Sequence, residues 1–449
     1  MPQAALRELL GFAGVEGEAQ IRGADPALKT PYRVGTAGAA SLAATGIAAA
    51  ELWKLRGGRE QRVAVDLRAA AASLRSAYYL RIDGKPPAAI WDPFSLFYPV
   101  RDGRWVRLHC NYPHHRAAAL GVLGVGEDVE AAKRAAAPWD GLELEDAIHA
   151  AGGCAALVRS AKEWAVHPHA AAVAGQPLLE IERFGDAPPE PLAKADRALA
   201  GVRVLDLTRV LAGPTAAKTL AEHGADVLKI TAAHLPDSGD IDLDTGLGKL
   251  SAQLDLRQAQ GVDTLESLAK RADVFSQSYR PGALAARGFS PEDLARLRPG
   301  IVVVSLCAWG RTGPWKDRRG FDSIVQCVSG MAREQGGSGA PKLLPCSAID
   351  YVSGYLMAFG AMTALARRAR EGGSWLVRVG LARTGKWIVD RGTVEAGSVP
   401  ELDPAGLTTE TASPAGRIGH LKPVVQLSET PPFWARPPVP LGHHRPQWP

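Results

Sequence analysis

Residues 202–207 read Val-Arg-Val-Leu-Asp-Leu, and residues 301–306 read Ile-Val-Val-Val-Ser-Leu. Both runs have the β-branched, apolar character of buried parallel strands. Two further apolar runs, at 225–230 and 273–275, lie between them and alternate with segments of helical pattern. Strands that alternate with helices predict right-handed βαβ crossovers and a doubly wound sheet. The sequence from Gly201 onward therefore predicts an α/β domain with a Rossmann-like parallel sheet.

The helices of this domain have clear end signals. A helix predicted over 215–222 follows Pro214, whose missing N–H costs nothing in a first turn, and it stops at Gly224. The same kind of pattern predicts helices over 262–271 and 291–297. Each of these helices would return the chain to the start of the next strand.

The first 195 residues follow a different pattern. An Ala-rich helix over 37–54 leads through Gly57-Gly58 into a strand over 62–67. Short elements follow, with a strand at 105–109 and helices around 142–151 and 154–165. The Pro-rich stretch 188–192 is a candidate linker. We therefore expect four segments: a helix and strand segment over 1–78, a smaller α+β domain over 79–195, the Rossmann-like domain over 198–384, and a Pro-rich tail over 385–449.

An internal repeat relates the two parts of the chain at a shift of 314 positions. Gly46 then aligns with Gly360, and Val63 aligns with Val377, within a helix, a Gly–Gly turn and a strand. Asp350 aligns with Thr36, so only the second copy has a carboxylate at the start of its helix.

Asp350 directly precedes a helix predicted over 351–368. One interpretation is a helix cap, because a side-chain oxygen at that position accepts hydrogen bonds from first-turn N–H groups. The other is catalytic, because the same N–H groups keep a carboxylate ionised and stabilise a neighbouring oxyanion. A carboxylate held there is placed to attack a thioester, and the small residues Ser353 and Gly354 leave room for a substrate.

Positive charge is concentrated in the loop after the strand 301–306, which lies at the ligand-binding edge of such a sheet. The candidates for contact with an anion are Arg311, Lys316, Arg318 and Arg319, with Arg311 as the principal one. Lys249 and Arg280 lie on other predicted loops of the same domain and are further candidates. Each of these side chains is also compatible with a solvated surface charge.

The composition excludes several classes of protein. The net charge of +5 and pI of about 8.9 favour an anionic small molecule, and they do not indicate a nucleic-acid-binding protein. Five scattered cysteines without a CxxC pair predict neither disulfides nor a zinc site, and we expect no metal. No leader-like or membrane-spanning pattern is evident, so we expect a soluble, cytoplasmic protein. The first βα turn has no GxGxxG motif, which disfavours a nicotinamide enzyme.

Several motifs together resemble the class III CoA-transferase family, which includes formyl-CoA and carnitine CoA-transferases and α-methylacyl-CoA racemase. The resembling segments occur in the family's order: 204–214, Gly224 to Lys229, Gly248-Lys249 with 254–256, Tyr279-Arg-Pro-Gly282, Thr312-Gly-Pro314 with Gly320-Phe-Asp322, and Ser329-Gly330. The N-terminal part resembles the second half of the family, so the halves stand in permuted order.

The resemblance implies a transferase with coenzyme A as co-substrate and with acyl-CoA and carboxylic acids as substrates. Asp350 matches the catalytic aspartate, which forms a mixed anhydride with the acyl group and then carries CoA as a thioester. The residues that the resemblance and the charge pattern assign to CoA are Val210, Leu211, Ala212, Lys249, Tyr279, Arg280 and Arg311. The resemblance also implies a homodimer, interlocked in the family.

Four positions depart from the family pattern. Phe321 stands where racemases carry a histidine, and a phenyl ring cannot accept a proton, so an acyl-CoA racemase or isomerase is the least favoured function. Thr231, Leu250 and Ser278 replace an acid, an arginine and an asparagine. These changes leave open a second function, that of a CoA-binding protein without catalytic activity.

Overall fold

A computed structural model describes residues 1–397 and 399–449. The strands are β1 (Gln20–Arg22), β2 (Val63–Asp66), β3 (Arg81–Ile82), β4 (Phe97–Pro99), β5 (Trp105–Leu108), β6 (Ala155–Leu157), β7 (Leu179–Gly185), β8 (Arg203–Leu207), β9 (Asp226–Thr231), β10 (Lys249–Gln253), β11 (Val274–Gln277), β12 (Val302–Cys307), β13 (Ser374–Gly380), β14 (Thr408–Ser413), β15 (Gly416–Leu421) and β16 (Gln426–Leu427).

The helices are α1 (Pro2–Ala13), α2 (Val34–Leu55), α3 (Leu67–Ser73), α4 (Ser76–Tyr79), α5 (Pro113–Leu123), α6 (Val129–Ala136), α7 (Gly141–Ala150), α8 (Ala161–Ala165), α9 (Pro168–Ala174), α10 (Ala212–Glu222), α11 (Ile241–Asp244), α12 (Ala259–Ala269), α13 (Pro291–Leu297), α14 (Asp322–Val328), α15 (Met331–Gly336), α16 (Ala348–Glu371) and α17 (Leu381–Asp390). A 3₁₀ turn spans Ala285–Arg287.

The central sheet confirms the predicted α/β class. Its strand order is β10-β9-β8-β11-β12-β13-β7, and every pair is parallel except β13 with β7. The chain runs outward in one direction from β8 to β10 and in the other from β11 to β13. The order therefore reverses between β8 and β11, and ligands bind in the crevice that such a switch point creates.

The core of this sheet consists of the β-branched residues that predicted it. Val204, Val274 and Val302 lie in register on the neighbouring strands β8, β11 and β12 and are fully buried. The long helix α16 packs against α2 and α10 on one face. Its apolar stretch is long enough to cross a membrane, but all of it is buried inside the protein.

The internal repeat is visible in the packing. A Cβ on Gly46 of α2 would lie 2.6 Å from Cγ1 of Val63, and a Cβ on Gly360 of α16 would lie 2.5 Å from Cγ1 of Val377. Glycine lets each helix approach the strand that follows it. The strands β2 and β13 also have equivalent neighbours, because each pairs in parallel with one strand and antiparallel with another.

The N-terminal region builds a small sheet of order β4-β5-β6. The predicted helix over 154–165 is wrong at its start, because Ala155–Leu157 pairs with β5 as strand β6 and only Ala161–Ala165 is helical. Alanine-rich sequence favours a helix locally, and the pairing with β5 overrides that preference. In the segment 385–449, β15 pairs with β3 and β16 pairs with β2, so this segment returns to the N-terminal region.

Candidate functional site

The switch point is formed by the loops that follow β8 and β11. The first continues through Arg209, Val210 and Leu211 into α10, and the second contains Ser278 and Tyr279. Val210 has φ of 68°, a left-handed conformation that β-branched residues rarely adopt. Such strain is most often found where a backbone is held for binding or catalysis.

Asp350 lies beside this switch point, in the first turn of α16. The helix begins at Ala348, one turn earlier than predicted, so Asp350 is not its cap. The capping carboxylate belongs to Asp322 of α14, which accepts the backbone N–H groups of Ile349 at 2.9 Å and Asp350 at 3.1 Å. The helix-cap interpretation of Asp350 is therefore wrong, and the first-turn donors are used by another residue.

Burial raises the pKa of Asp350 well above its usual value, and the neighbouring Asp322 raises it further. Burial likewise raises the pKa of Asp322 to about 6, although three hydrogen bonds oppose that shift. The expectation that helix N–H groups keep Asp350 ionised is thus not met, because those donors contact Asp322 and the Asp350 side chain is largely buried. A buried pair of carboxyls with raised pKa values is typical of functional sites.

Asp322 is held rigidly from its other side. The Gln326 side-chain amide donates to the second oxygen of Asp322, and the oxygen of the same amide accepts the Leu344 N–H at 2.8 Å. The preceding loop is fixed by Arg318, whose guanidinium binds Glu145 at 3.0 Å and also contacts Asp146. The N-terminal region therefore helps to position the carboxyl pair.

A first cavity of about 310 Å³ opens beside Asp350 at the switch point. Its walls include three arginines, Arg209, Arg280 and Arg319. The guanidinium of Arg209 lies 5.3 Å from the centre of the Tyr112 ring and donates to the Pro236 carbonyl. A concave, cationic site of this kind suits an anionic ligand.

A second cavity of about 510 Å³ lies on the other side of Asp350. It is lined by aromatic and aliphatic side chains that include Trp91, Ile90 and Tyr351, and by His109. The His109 ring stacks on Phe321 with centres 3.8 Å apart, and burial lowers its pKa well below the usual value. His109 is therefore a neutral part of the wall.

Five residues line both cavities: Asp350, Tyr112, Val210, Leu211 and Phe321. Asp350 is the residue among them with a nucleophilic side chain that faces both spaces. The two cavities thus meet at this carboxyl group.

Most of the predicted site residues come together. Val210, Leu211, Ala212, Tyr279, Arg280 and Asp350 all line the first cavity. Lys249 and Arg311 do not. The Lys249 ammonium is buried against Asp206 at 2.9 Å and the Pro214 carbonyl at 2.8 Å, while Arg311 pairs with Glu180 at 2.8 Å on the surface. Both charges are neutralised by carboxylates of the chain itself.

Sequence reasoning missed several lining residues. Arg209 follows β8 directly, and its place at the carboxyl end of that strand is the signal that would have found it. Arg319 was one of four cations in a single loop, and only the structure selects it. Tyr112 and His109 come from a part of the chain that is far from Asp350 in sequence, and no local pattern connects them to it.

The N-terminal copy of the repeat lacks this chemistry. Asp25 accepts the N–H groups of Gly35 at 3.0 Å and Thr36 at 2.7 Å, as Asp322 does for Ile349 and Asp350. The capping arrangement is therefore duplicated, but Thr36 carries a hydroxyl where Asp350 carries a carboxyl. The Thr36 hydroxyl is buried and has no hydrogen-bond partner among the described residues.

Within residues 1–397 and 399–449, no group of three or more His, Cys, Asp or Glu side chains is arranged to hold a metal ion. The five cysteines are free thiols.

Comparison with known proteins gives a consistent result. The family model of CoA-transferase family III matches residues 3–189 and 199–416. An acetyl-coenzyme A transferase, nodX, from Hypoxylon pulicicidum is 29% identical over 65% of this chain and 54% of its own length. An acyl-CoA transferase from Gibberella moniliformis is 28% identical over 78% of this chain and 69% of its own length.

A succinyl-CoA:glutarate CoA-transferase from Mus musculus is 34% identical over 39% of this chain and 43% of its own length. The chain therefore spans about half the length of most curated relatives that it matches. The family model covers the residues that build the central sheet and the two cavities. By this match, the chain belongs to CoA-transferase family III.

Proposed function

We propose that this protein transfers CoA from an acyl-CoA thioester to an acceptor carboxylic acid, with Asp350 as the nucleophile. The observation that carries the proposal is the position of Asp350 between two cavities of opposite character, one cationic and one mainly apolar. A CoA thioester has the same division, because a polyanionic carrier is joined to an acyl group at one reactive carbon.

The cationic cavity supports binding of CoA. Arg209, Arg280 and Arg319 line it, and arginine forms bidentate hydrogen bonds with phosphate. A third cavity of about 240 Å³ shares Tyr279 and Ala283 with it. This third space lies beyond the ends of β8 and β9, and its lining combines leucines with Arg257 and Arg287. Arg257 is paired with Asp255 at 2.7 Å, which leaves Arg287 as the cation at this partly apolar slot. Such a slot suits a nucleotide base that carries a phosphate.

The proposed chemistry is a series of acyl transfers at Asp350. A carboxylate oxygen of Asp350 attacks the thioester carbonyl and expels the CoA thiolate, which leaves a mixed anhydride. The thiolate then attacks the Asp350 carboxyl carbon and releases the original acid. The acceptor carboxylate displaces the thiolate from the resulting aspartyl thioester, and attack of that thiolate on the new acyl carbon forms the product and frees Asp350.

The raised pKa of Asp350 has two opposing consequences. Fewer molecules carry the ionised form at neutral pH, since burial disfavours the charge. The ionised form that is present is poorly solvated, and it is therefore a stronger nucleophile than an exposed aspartate. Asp322 supports the reaction by orienting the first turn of α16, with hydrogen bonds to Ile349 and Asp350.

A turnover assay combined with calorimetry tests this proposal. Transfer of CoA from acetyl-CoA to a carboxylic acid, abolished in Asp350→Ala although CoA still binds, would support it. The alternative of a CoA-binding protein without activity predicts binding in both proteins and turnover in neither. Incubation with an α-methylacyl-CoA in heavy water tests the racemase alternative, and we expect no deuterium in the substrate because Phe321 cannot move a proton.

We further propose a homodimer in the cytoplasm and the four-segment division of the chain stated above. Light scattering tests the dimer, which requires twice the chain mass of 47.4 kDa.

Limited proteolysis tests the division of the chain into four segments. The linker 188–192 is anchored through Glu190, which binds Arg298 at 2.6 Å, so we expect it to be cut slowly.

A further inference from the structure

The second cavity differs from the first in its charge. None of the described residues that line it is Lys or Arg. Its acidic groups are the four carboxyls of Asp92, Asp237, Asp322 and Asp350. A ligand that enters this space meets aromatic rings, aliphatic groups and carboxyls.

Two arginines close to this cavity, Arg116 and Arg107, do not line it. Arg116 binds Asp92 at 3.2 Å and Glu127 at 3.0 Å, and its guanidinium is not part of the cavity wall. Arg107 is buried, and its guanidinium lies 4.9 Å from the ring centre of Trp91, which does line the cavity. Neither guanidinium forms part of the cavity wall.

One neutral polar side chain of the wall, Asn111, is held by other residues of the same segment. The Asn111 amide donates to the Ile90 carbonyl at 2.8 Å, and its oxygen accepts from Ser95 at 2.7 Å and from the Asp92 N–H at 3.2 Å. These bonds fix the segment that carries Ile90 and Trp91. One of the two N–H groups of the Asn111 amide is thus used within the wall.

We propose that the acid handled in this cavity is a bulky monocarboxylic acid, aromatic or aliphatic, with no charged group besides its reacting carboxyl, and not a dicarboxylic acid. This inference rests on the proposed function, because it assigns the acyl group to the second cavity. The carboxyl that reacts at Asp350 is consumed in the acyl bond, whereas a second carboxylate would lie in a space that is lined by carboxyls and by no described Lys or Arg. The aromatic walls and the volume of about 510 Å³ suit a ring or a medium-length chain.

This specificity differs from that stated in the name of the Mus musculus relative, which specifies succinyl-CoA and glutarate. The difference is testable because the proposal concerns one charge. Pentanoate and glutarate have the same chain length, and so do pentanoyl-CoA and glutaryl-CoA. Each pair differs mainly by a terminal carboxylate.

The experiment measures kcat/KM for pentanoate and glutarate as acceptors with acetyl-CoA as donor, and calorimetric affinities for pentanoyl-CoA and glutaryl-CoA. In both measurements we expect the member that lacks the second carboxylate, pentanoate or pentanoyl-CoA, to be favoured at least 10-fold. Equal values, or a preference for the dicarboxylate, would overturn the inference while leaving CoA transfer intact. Absence of all transfer would overturn the proposed function, and the two affinities would still decide the charge preference.

A charge-introducing variant adds a second test. Ile90→Arg places a cation on the wall, and we expect it to raise the glutarate to pentanoate ratio at least 10-fold. Val166→Arg, on an exposed residue of the N-terminal region, is the matched control and should leave the ratio unchanged. An unchanged ratio in a folded Ile90→Arg protein would contradict the inference.

Discussion

The carboxylate of Asp322 accepts the backbone N–H of Asp350 at 3.1 Å, so the residue that caps α16 also holds the proposed nucleophile in place. The two side chains belong to different helices and are both buried. The negative charge of Asp322 opposes ionisation of Asp350, while its hydrogen bonds fix the turn that carries it. Positioning and proton affinity are therefore coupled at this pair.

The first prediction concerns the pH dependence of this pair. Removing the charge in Asp322→Asn lowers the pKa of Asp350, so the rise of kcat/KM with pH should move to lower pH. The new amide also faces the Gln326 donor, which costs about 1–3 kcal/mol of stability. Rate profiles from pH 5 to 9 check this, with the exposed Asp317→Asn as control. If the rise of kcat/KM stays at the same pH in Asp322→Asn, or moves to higher pH, the coupling would be contradicted.

The second prediction concerns stability. Because the pKa of Asp350 is raised in the folded state, the native protein holds a proton that the unfolded chain has lost. The protonated Asp350 therefore stabilises the folded state at low pH. This stabilisation is lost as the pH rises from about 4, the pKa of aspartate in the unfolded chain, through the raised pKa of the folded state. Asp350→Asn should raise the free energy of unfolding at pH 8 by about 1 kcal/mol or more.

Urea unfolding of the wild type and of Asp350→Asn at pH 5 and pH 8 provides the measurement. The difference between the two proteins should grow with pH. A constant difference would show that Asp350 has an ordinary pKa in the folded protein.

The third prediction is that Lys249 has a structural role and stabilises the fold. Its ammonium and the Asp206 carboxylate are almost fully buried, and burial lowers the pKa of Lys249 to about 8. Lys249→Met leaves Asp206 unpaired and should cost about 3–5 kcal/mol, while the double variant with Asp206→Leu should recover part of this loss. Lys270→Ala removes an exposed pair and should cost less than about 1 kcal/mol. A minor loss in Lys249→Met would refute the structural role.

The fourth prediction concerns the cationic cavity. Arg280 is exposed at its rim, so Arg280→Ala should raise KM for acyl-CoA about 10-fold, equal to about 1.4 kcal/mol, with little change in kcat. The effect should weaken as salt is added. Steady-state kinetics at two ionic strengths measure it, with Arg296→Ala on α13 as control. Equal KM values for both variants would remove Arg280 from the CoA site.

Much of the fold was predictable because the apolar, β-branched residues of its buried strands can be recognised in the sequence. The runs at 202–207 and 301–306 became β8 and β12 within one residue, and the helix 291–297 was correct at both ends. The strand β10 was missed because Lys249 and Gln253 are polar. Residues 249–253 form a strand because they pair with β9 and because Lys249 makes a buried contact with Asp206.

The site was predictable only in part. The loop after β8 and the aspartate near the start of α16 follow from local patterns, but the proximity of Asp322 and Asp350 depends on how α14 meets α16. The duplicated cap was hidden for a related reason. Asp25 and Asp322 stand at different distances before their helices, so the shift that aligns Gly46 with Gly360 does not align them.

The most direct test of the central claim is peptide mapping by mass spectrometry after the protein is treated with acetyl-CoA and then with hydroxylamine. The account predicts a hydroxamate on Asp350 that appears only when acyl-CoA is present and is absent from Asp350→Asn. A hydroxamate on another carboxyl group, or an unmodified protein that still transfers CoA, would contradict it.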